Sequence, residues 1–406
     1  MVSSLAAVFL IAAGCTADDP TPPSIVVGVL SATTGTGANP NDDAARGAQL
    51  AIDVVNDSHP SLPIPLAPGI GLPGLRGARL TLVSGDTQGK TDLATRQANE
   101  FVTVRKAVGV VLADSAEVAM TAASEMQRLR APLLDACNTA DYLTELGMDW
   151  YFRAAPGDRS MVEDAFTLLR RQGVTKIAVL TEPAGDSAAG LSHVQAVAGG
   201  GGTQILSQHE LGAAEVAERL SGGGAQALVA WAHTAEGAAN VRKLAAQVRS
   251  APPILGLGKG FRDLTEPPGS TPMVLRTVLW SADLAGRSPA AKAVGELFEK
   301  RFGHRMSGVA AATFTSVIAL AVAIDAGSSA DPAAIRAALR QTALPATQMI
   351  MPWDGVRFAT DGHNSLAASA LEAWDGGGFR MVYPIELASQ QLRWPARPEV
   401  QTGARQ

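Results

Sequence analysis

Cysteine and aromatic residues are scarce in this sequence of 406 residues. It contains two cysteines, Cys15 and Cys137, and only 5% Phe, Trp and Tyr. Two cysteines cannot build a disulfide framework, so the stability of the fold must come from packing. Basic residues are not in excess either, because the formal net charge is -5. The chain therefore has no surplus of cations to neutralise a phosphate backbone, and nucleic acid is not expected as a partner.

Motifs for cofactors, metals and covalent catalysis are also missing. The loop 85–91 follows a strand, but only three residues separate Gly85 from Gly89, one fewer than a phosphate-binding loop needs. The run 256–260 lacks the third-glycine spacing of a dinucleotide site. The six histidines show no metal-ligand spacing, and no Gly-x-Ser-x-Gly elbow or suitably placed histidine activates a serine or Cys137. We therefore expect no cofactor, no metal and no enzymatic activity.

The amino terminus carries an export signal. Residues 5–14 form an uncharged apolar run too short to span a bilayer, and the run ends in Ala12-Ala13-Gly14-Cys15, which resembles a bacterial lipobox. We predict a lipoprotein signal peptide over residues 1–15, lipidation of Cys15, and a flexible tether over residues 16–24. Because residues 1–4 contain no Lys or Arg, an ordinary signal peptide or a buried N-terminal helix stays open as an alternative.

Short β-branched runs alternate with longer helical stretches along the chain. A first series of strands is predicted at 25–30, 79–83, 108–112 and 132–134. A second series is predicted at 176–180, 204–206, 227–231 and 254–255. This alternation predicts an α/β fold of two doubly wound parallel sheets covered by helices on both faces. The length of the chain also favours two lobes over a single core.

For the rest of the chain the sequence predicts strands and helices but does not assign them to one lobe or the other. A strand is expected near 273–280, and strand-like pieces are expected near Val356 and Ala373. Helices are predicted at 290–301, 309–326 and 332–340. These elements could return to either lobe. The Pro- and Gly-rich segment 59–77 is interpreted as a surface excursion between a helix and a strand.

A set of short motifs, in order, resembles the type I periplasmic binding proteins, specifically the leucine-binding-like receptors for branched-chain amino acids. The resemblance covers roughly residues 25–385. The motifs are Thr33-Thr34-Gly35, Arg46-Gly47-Ala48-Gln49-Leu50-Ala51, Gly85-Asp86-Thr87, Val110-Val111-Leu112-Ala113-Asp114-Ser115, Asn138-Thr139-Ala140, Tyr151-Phe152-Arg153, Val356-Arg357-Phe358 and Asp361-Gly362.

The resemblance implies a type I periplasmic binding protein fold with a hinge that the chain crosses three times. We place the crossings near Pro156, Asp283 and Pro345. Lobe 1 would then hold residues 25–155 and 284–344, and lobe 2 would hold residues 156–283 and 345–390. Residues 391–406 would form a C-terminal tail.

The ligand is expected in the cleft between the lobes, at the carboxyl ends of the parallel strands. Ser115 and Thr139 come just after predicted strands, at the start of helices, where free N–H groups favour an anion such as a carboxylate. Asp114, Cys137 and Asn138 belong to the same two loops and are included as ligand-binding candidates. A plain N-cap is an equally good interpretation of Ser115 and of Thr139 taken singly.

On the opposite wall, the resemblance places Ser187, His233 and Lys259 near the ligand. Relatives hold an amino acid's ammonium there with a carboxylate, whereas this chain has Lys259. We therefore hypothesise that the ligand carries an anionic group facing Lys259, or lacks an ammonium there, because unlike charges attract in a desolvated cleft. The alternative, that Lys259 points to solvent, is left open.

The function implied by the resemblance is that of a solute-binding lipoprotein of an ABC importer. The expected partners are a small-molecule solute, the permease and ATPase subunits of the importer, and the outer face of the cell membrane through the lipid anchor. The protein is expected to be extracytoplasmic and monomeric. A ligand-sensing receptor subunit with the same fold remains the alternative. A hydrolase would need a nucleophile and base that the sequence does not assemble.

Overall fold

The computed structural model describes residues 24–35, 37–39, 41–264, 273–374 and 377–394. The predicted signal peptide, the predicted lipidation site Cys15, nearly all of the predicted tether and most of the predicted C-terminal tail lie outside these residues. The described chain forms one parallel and one mixed α/β sheet, joined by several crossings of the backbone, and a small two-stranded sheet.

The first sheet has five parallel strands in the order β2-β1-β3-β4-β5. The strands are β1 (Ser24–Ser31), β2 (Arg79–Asp86), β3 (Val110–Ala113), β4 (Leu133–Asp135) and β5 (Tyr151–Arg153). The helices that connect them are α1 (Asp43–Asn56), α2 (Thr91–Thr103), α3 (Ala116–Leu129) and the short α4 (Tyr142–Glu145). We call this sheet, with the helices packed on it, the first lobe. Its strands are apolar nearly throughout because helices cover both faces of the sheet.

The second sheet has seven strands in the order β14-β13-β10-β9-β8-β6-β7. Its strands are β6 (Lys176–Thr181), β7 (Gln204–Glu210), β8 (Ala227–Trp231), β9 (Ile254–Leu257), β10 (Val274–Val278), β13 (Ala370–Trp374) and β14 (Phe379–Tyr383). The helices of this second lobe are α5 (Asp158–Arg171), α6 (Ser187–Gly200), α7 (Val216–Ser221), α8 (Ala235–Ala245) and α9 (Lys259–Arg262). β13 and β14 are antiparallel and form one edge of the sheet.

After β10 the chain returns to the first lobe. It forms α10 (Pro289–Phe302), α11 (Gly308–Gly327) and α12 (Pro332–Leu339). By length and composition α11 could cross a membrane, but it is mostly buried against α1 and β3. α11 is therefore the core helix of the first lobe.

The third crossing between the lobes differs from the expectation. β11 (Leu344–Pro345) pairs with β12 (Gly355–Val356), and the Asn364 side chain donates to the carbonyl oxygens of Ala154 and Gly355. Residues 345–364 therefore lie against the first lobe, and the chain reaches the second sheet only at Ala370. Burial of apolar side chains explains this position. Trp353 and Phe358 are buried in the core of the first lobe, and the Phe358 ring packs edge-to-face on Phe152 with 5.2 Å between the ring centroids.

The segment 59–77 also differs from the expected surface excursion. Leu62, Ile64 and Leu72 are buried in the core of the first lobe. The Gly74 N–H donates to the Asp325 carboxylate at the end of α11. The segment is thus an irregular part of the core, which its proline and glycine content conceals.

Candidate functional site

The two lobes meet where parallel strands end. Thr139 and Asp141 follow β4 in the first lobe, His193 lies on α6 after β6, and Arg262 lies on α9 after β9. The Arg262 Nη1 donates to the Thr139 hydroxyl at 3.2 Å, and the His193 Nε2 lies 3.3 Å from an Asp141 carboxylate oxygen. These contacts define a groove between the carboxyl ends of strands from both sheets, which is where α/β folds of this kind bind ligands.

Ser115 lies on the first wall of this groove. Ser115 is exposed and is the N-cap of α3, where its hydroxyl accepts from the Val118 N–H at 3.4 Å. That bond is long, so the first turn of α3 keeps donors for an anion. The structure therefore shows the N-cap role and leaves Ser115 accessible to a ligand.

Asp114 precedes Ser115 on the same wall. Its carboxylate accepts from the Thr87 hydroxyl and from the Ser115 N–H. Burial raises the pKa of Asp114, while these donors and the charge of Lys259 oppose the rise.

A buried carboxylate shapes the next loop of the first lobe. Asp135, at the end of β4, is 0% exposed. Its carboxylate accepts from the Cys137 and Asn138 N–H groups, the Asn138 side-chain amide and the Tyr151 hydroxyl. Burial raises the pKa of Asp135 and the donors oppose it. The loop that carries Thr139 is therefore held rigidly in position by Asp135.

Asn138 and Cys137 have structural contacts in this loop. The Asn138 amide bridges Asp135 and the Asp114 carbonyl oxygen, which ties the two loops of the first wall together. Cys137 packs against Ala155, Met161 and Leu279, an apolar cluster between the lobes. Neither contact requires a ligand. Both residues remain ligand-binding candidates by position alone.

Burial gives Cys137 a testable property. It raises the pKa of the Cys137 thiol to about 12, with a further contribution from the charge of Asp135. The thiolate is the nucleophilic form of cysteine, so alkylation by iodoacetamide at pH 8 should be roughly a thousandfold slower than for an ordinary thiol. In a Cys15→Ser chain, which leaves Cys137 as the single thiol, we expect slow labelling in buffer and rapid labelling in urea. Equal rates would contradict the prediction.

Thr139 is the link between the lobes. It is buried, its hydroxyl accepts from Arg262, and its carbonyl oxygen accepts from the Asp158 N–H at 2.7 Å. Asp158 begins α5 and is itself buried, which raises its pKa, and the positive charge of Arg262 opposes that rise. Thr139 thus positions Arg262 through its hydroxyl oxygen. It lies in the loop before α4, whose N-cap is Asp141, so the prediction that Thr139 stands at the start of a helix is wrong.

His233 and Ser187 lie on the second wall of the groove. The His233 Nδ1 lies 3.1 Å from the Asp186 carboxylate, which also accepts from the Trp231 indole N–H at 3.2 Å. His233 is partly exposed and its ring packs over Gly185. Ser187 is buried and donates its hydroxyl hydrogen to the Ala184 carbonyl. Ser187 therefore closes a local turn, whereas the His233 side chain is 43% exposed and can be reached by a solute.

Lys259 begins the short helix α9. Its ammonium pairs with Asp263 one turn later, and both side chains are about half exposed, at 48% and 47%. Gly258 precedes it with a φ of 83° and lies against the Ala232 carbonyl, so a side chain at this position would be strained. The glycines of the run 256–260 thus serve a tight strand-to-helix turn. Lys259 influences Asp114 across the groove, but its nearest partner is Asp263.

Arg262, Asp158 and the Asp141–His193 pair were not predicted from the sequence. Asp141 is braced by Arg153 of the first lobe, which is 3% exposed, and by the Arg159 N–H at the start of α5 of the second lobe. These residues have no motif of their own. Arg262 and Thr139 are separated by 123 positions, so only the tertiary structure brings them together. The one local signal was that Arg262 lies one helical turn from Lys259.

Within the ranges that the structure describes, no group of three or more His, Cys, Asp or Glu side chains is placed to hold a metal ion.

Comparison with known families decides the assignment. The model of the periplasmic binding protein family matches residues 24–378 of this chain. The chain belongs to the periplasmic binding protein family. As a member, it is a substrate-binding protein of an extracytoplasmic family rather than an enzyme, and the type I fold predicted from the sequence is confirmed.

Individual relatives are distant but cover nearly the whole chain. A Leu/Ile/Val-binding protein homolog 7 of Brucella abortus is 22% identical over 93% of this chain and 95% of its own length. An ABC transporter substrate-binding protein of Desulfitobacterium hafniense, solved in complex with Leu, covers 88% of this chain and 99% of its own at a TM-score of 0.74 and 19% identity. A solute-binding protein of R. palustris, solved in complex with benzoate, covers 88% and 95% at a TM-score of 0.66 and 16% identity.

Proposed function

We propose that this chain is the extracytoplasmic solute-binding lipoprotein of an ABC importer. It captures a small polar solute, an amino acid or a related carboxylate or amide, by closing its two lobes. The observation that carries the proposal is the groove at which loops after parallel strands of both sheets meet through Arg262–Thr139 and His193–Asp141. The Leu and benzoate complexes of its relatives support a ligand with a carboxylate.

Capture begins on the first lobe. A solute anion docks at the exposed start of α3, beside Ser115, where backbone N–H groups are free and the helix dipole favours negative charge. The second lobe then closes, and Arg262 and His193 reach the loop that carries Thr139 and Asp141. Closure excludes water and stabilises the loaded form, which is the form that a permease recognises.

The remaining parts of the importer lie outside this chain. A lipid on Cys15 holds the receptor, as a monomer, at the outer face of the membrane, and a separate permease and ATPase carry out transport. Cys15 and the short apolar run before it support this assignment. The importer role is the natural one for a family member whose relatives include ABC transporter substrate-binding proteins.

A thermal-shift screen tests solute capture. The full chain carrying Cys15→Ser, which prevents acylation, would be heated with amino acids, amine-free carboxylates, amides and small aromatic compounds. A true solute at 100 times its Kd adds about 2.7 kcal/mol to the free energy of unfolding and raises Tm by several degrees. Small-angle scattering of the same sample should show a smaller radius of gyration. Failure of every compound class to raise Tm would defeat the proposal.

A further inference from the structure

We propose that the solute is a carboxylate without an ammonium group and that Arg262 is the residue that reads its carboxylate. The inference rests on the proposed function and names the substrate class of the same groove. Three observations carry it: the unused donors of Arg262, the rigid support of its guanidinium, and the occupied state of the carboxylates that an ammonium would need.

Arg262 has donors to spare. Its Nη1 donates to Thr139 and lies 3.7 Å from the Met161 sulfur, but its Nε and Nη2 have no hydrogen bond to any residue that the structure describes. The side chain is partly exposed at the groove between the lobes. The Nε–Nη2 edge of a guanidinium is the planar fork that binds a carboxylate through two parallel hydrogen bonds.

The guanidinium is held in place by both lobes. Thr139 of the first lobe is 4% exposed and accepts from Arg262, and its carbonyl oxygen accepts from the N–H of Asp158, which begins α5 of the second lobe and is 6% exposed. Because Asp158 is buried, its negative charge favours the cation of Arg262 at this position with little screening by water. The contact of Arg262 with Thr139 forms only when the two lobes are together. A ligand carboxylate bound to the Nε–Nη2 edge of Arg262 in this arrangement would therefore favour the closed form.

An ammonium would meet carboxylates that already have donors. An ammonium needs up to three acceptors, and a carboxylate is its strongest partner. In the groove, Asp114 already accepts from Thr87 and Ser115, Asp186 accepts through one oxygen from Trp231 and lies beside His233, and Asp263 pairs with Lys259. A ligand ammonium would have to share its carboxylate with one of these donors, whereas a ligand carboxylate at Arg262 would meet N–H groups that have no hydrogen bond to any described residue.

Lys259 is the competing cation. The charge of Lys259 is compensated by Asp263, and an ammonium cannot bind a carboxylate through two parallel hydrogen bonds as a guanidinium can. We therefore assign the ligand carboxylate to Arg262. This assignment replaces the hypothesis that an anionic group of the ligand faces Lys259, and it keeps the hypothesis that the ligand lacks an ammonium.

The test compares three forms of each carbon skeleton by calorimetric titration of the Cys15→Ser chain. One set is leucine, 4-methylpentanoate and 4-methylpentanamide, and a second set is phenylalanine, 3-phenylpropanoate and 3-phenylpropanamide. In at least one set the acid is expected to bind at least about tenfold more tightly than both the amino acid and the amide. Arg262→Met should weaken acid binding by about 10- to 100-fold and leave the amide unchanged, so that the preference for the acid disappears.

Two further variants separate the explanations. Arg262→Lys keeps the positive charge but removes the planar guanidinium, and it should lower the affinity for the acid about tenfold. Arg219→Met removes an equally charged arginine of the second lobe, one that only pairs with Glu215 on the surface, and should change nothing. If Arg262 were only a latch between the lobes, Arg262→Met would weaken acid and amide equally, which would overturn the inference.

Other results also overturn it. Tighter binding of the amino acids than of the matching acids would refute the inference and leave solute capture intact. If Lys259→Met lost acid binding and Arg262→Met did not, the carboxylate would be bound by Lys259, and the assignment to Arg262 would be wrong. If no compound of either set binds and the broad thermal-shift screen is also empty, the proposed function fails together with the inference.

Discussion

Replacing Asp135 with alanine is expected to lower the free energy of unfolding by about 3–5 kcal/mol and to abolish solute binding. The carboxylate is fully buried and accepts four hydrogen bonds, two of them from the backbone of the loop that carries Thr139. Without the carboxylate those donors are left without a partner in the protein interior, and each costs about 1–3 kcal/mol unless water enters. Urea unfolding and calorimetric titration would measure both effects.

Asp149→Ala is the matched control for this substitution. Asp149 is also an aspartate of the first lobe, but its side chain is 62% exposed and it pairs with Arg336 and Arg340 at the surface. Its removal should cost less than about 1 kcal/mol and leave binding unchanged. The free energy of unfolding of Asp135→Asn should lie between those of the two alanine variants. The asparagine amide keeps one acceptor oxygen, but its NH2 group cannot accept from the donors that now contact the second carboxylate oxygen. Similar unfolding curves for Asp135→Ala and Asp149→Ala would show that Asp135 does not hold the loop.

Gly47→Ala is expected to destabilise the first lobe by about 2 kcal/mol. Gly47 lies in the middle of α1, where this helix crosses α11, and a Cβ there would lie 2.3 Å from the Ala310 carbonyl oxygen. That oxygen belongs to the backbone of a buried helix, so the two helices would have to move apart. The strain should exceed the gain of about 1 kcal/mol that alanine normally brings to a helix interior. Thermal unfolding would measure the change.

Gly295→Ala is the control, and it should have the opposite sign. Gly295 also lies inside a helix, α10, but a Cβ there would meet nothing within 4 Å. Alanine should therefore stabilise the protein by about 0.5–1 kcal/mol through helix propensity alone. If both substitutions raised Tm, the close approach of α1 to α11 would be refuted.

The strand and helix series could be predicted from the sequence because their signals are local. The predicted strands 25–30, 176–180 and 227–231 correspond to β1, β6 and β8, and the predicted helices 290–301 and 309–326 correspond to α10 and α11. Buried parallel strands read as short apolar runs, and the helices between them carry an apolar face at a spacing of three to four residues. β5 has only three residues, and sequence analysis recognised Tyr151-Phe152-Arg153 as a motif without assigning a strand.

The position of the third crossing could not be predicted from the sequence, because it depends on which of the two hydrophobic cores buries the apolar side chains that follow Pro345. Proline at 345 suggested an interruption, but the apolar side chains of Met349, Ile350 and Trp353 that follow are buried in the first lobe. Nothing local distinguishes an apolar run that fills one lobe from a run that fills the other. The segment 59–77 escaped prediction for the same reason.

Hydrophobic periodicity was enough to predict the α/β class and the two-sheet plan. The rule that parallel strands present their carboxyl ends at one edge of a sheet predicts that the loops of Ser115 and Thr139 lie together. The charges that meet across the groove could not be predicted, because they depend on how the two lobes pack. Arg262, Thr139 and Asp158 are distant in the chain, and their interaction depends on the distance and burial of their polar atoms after the lobes have folded against each other.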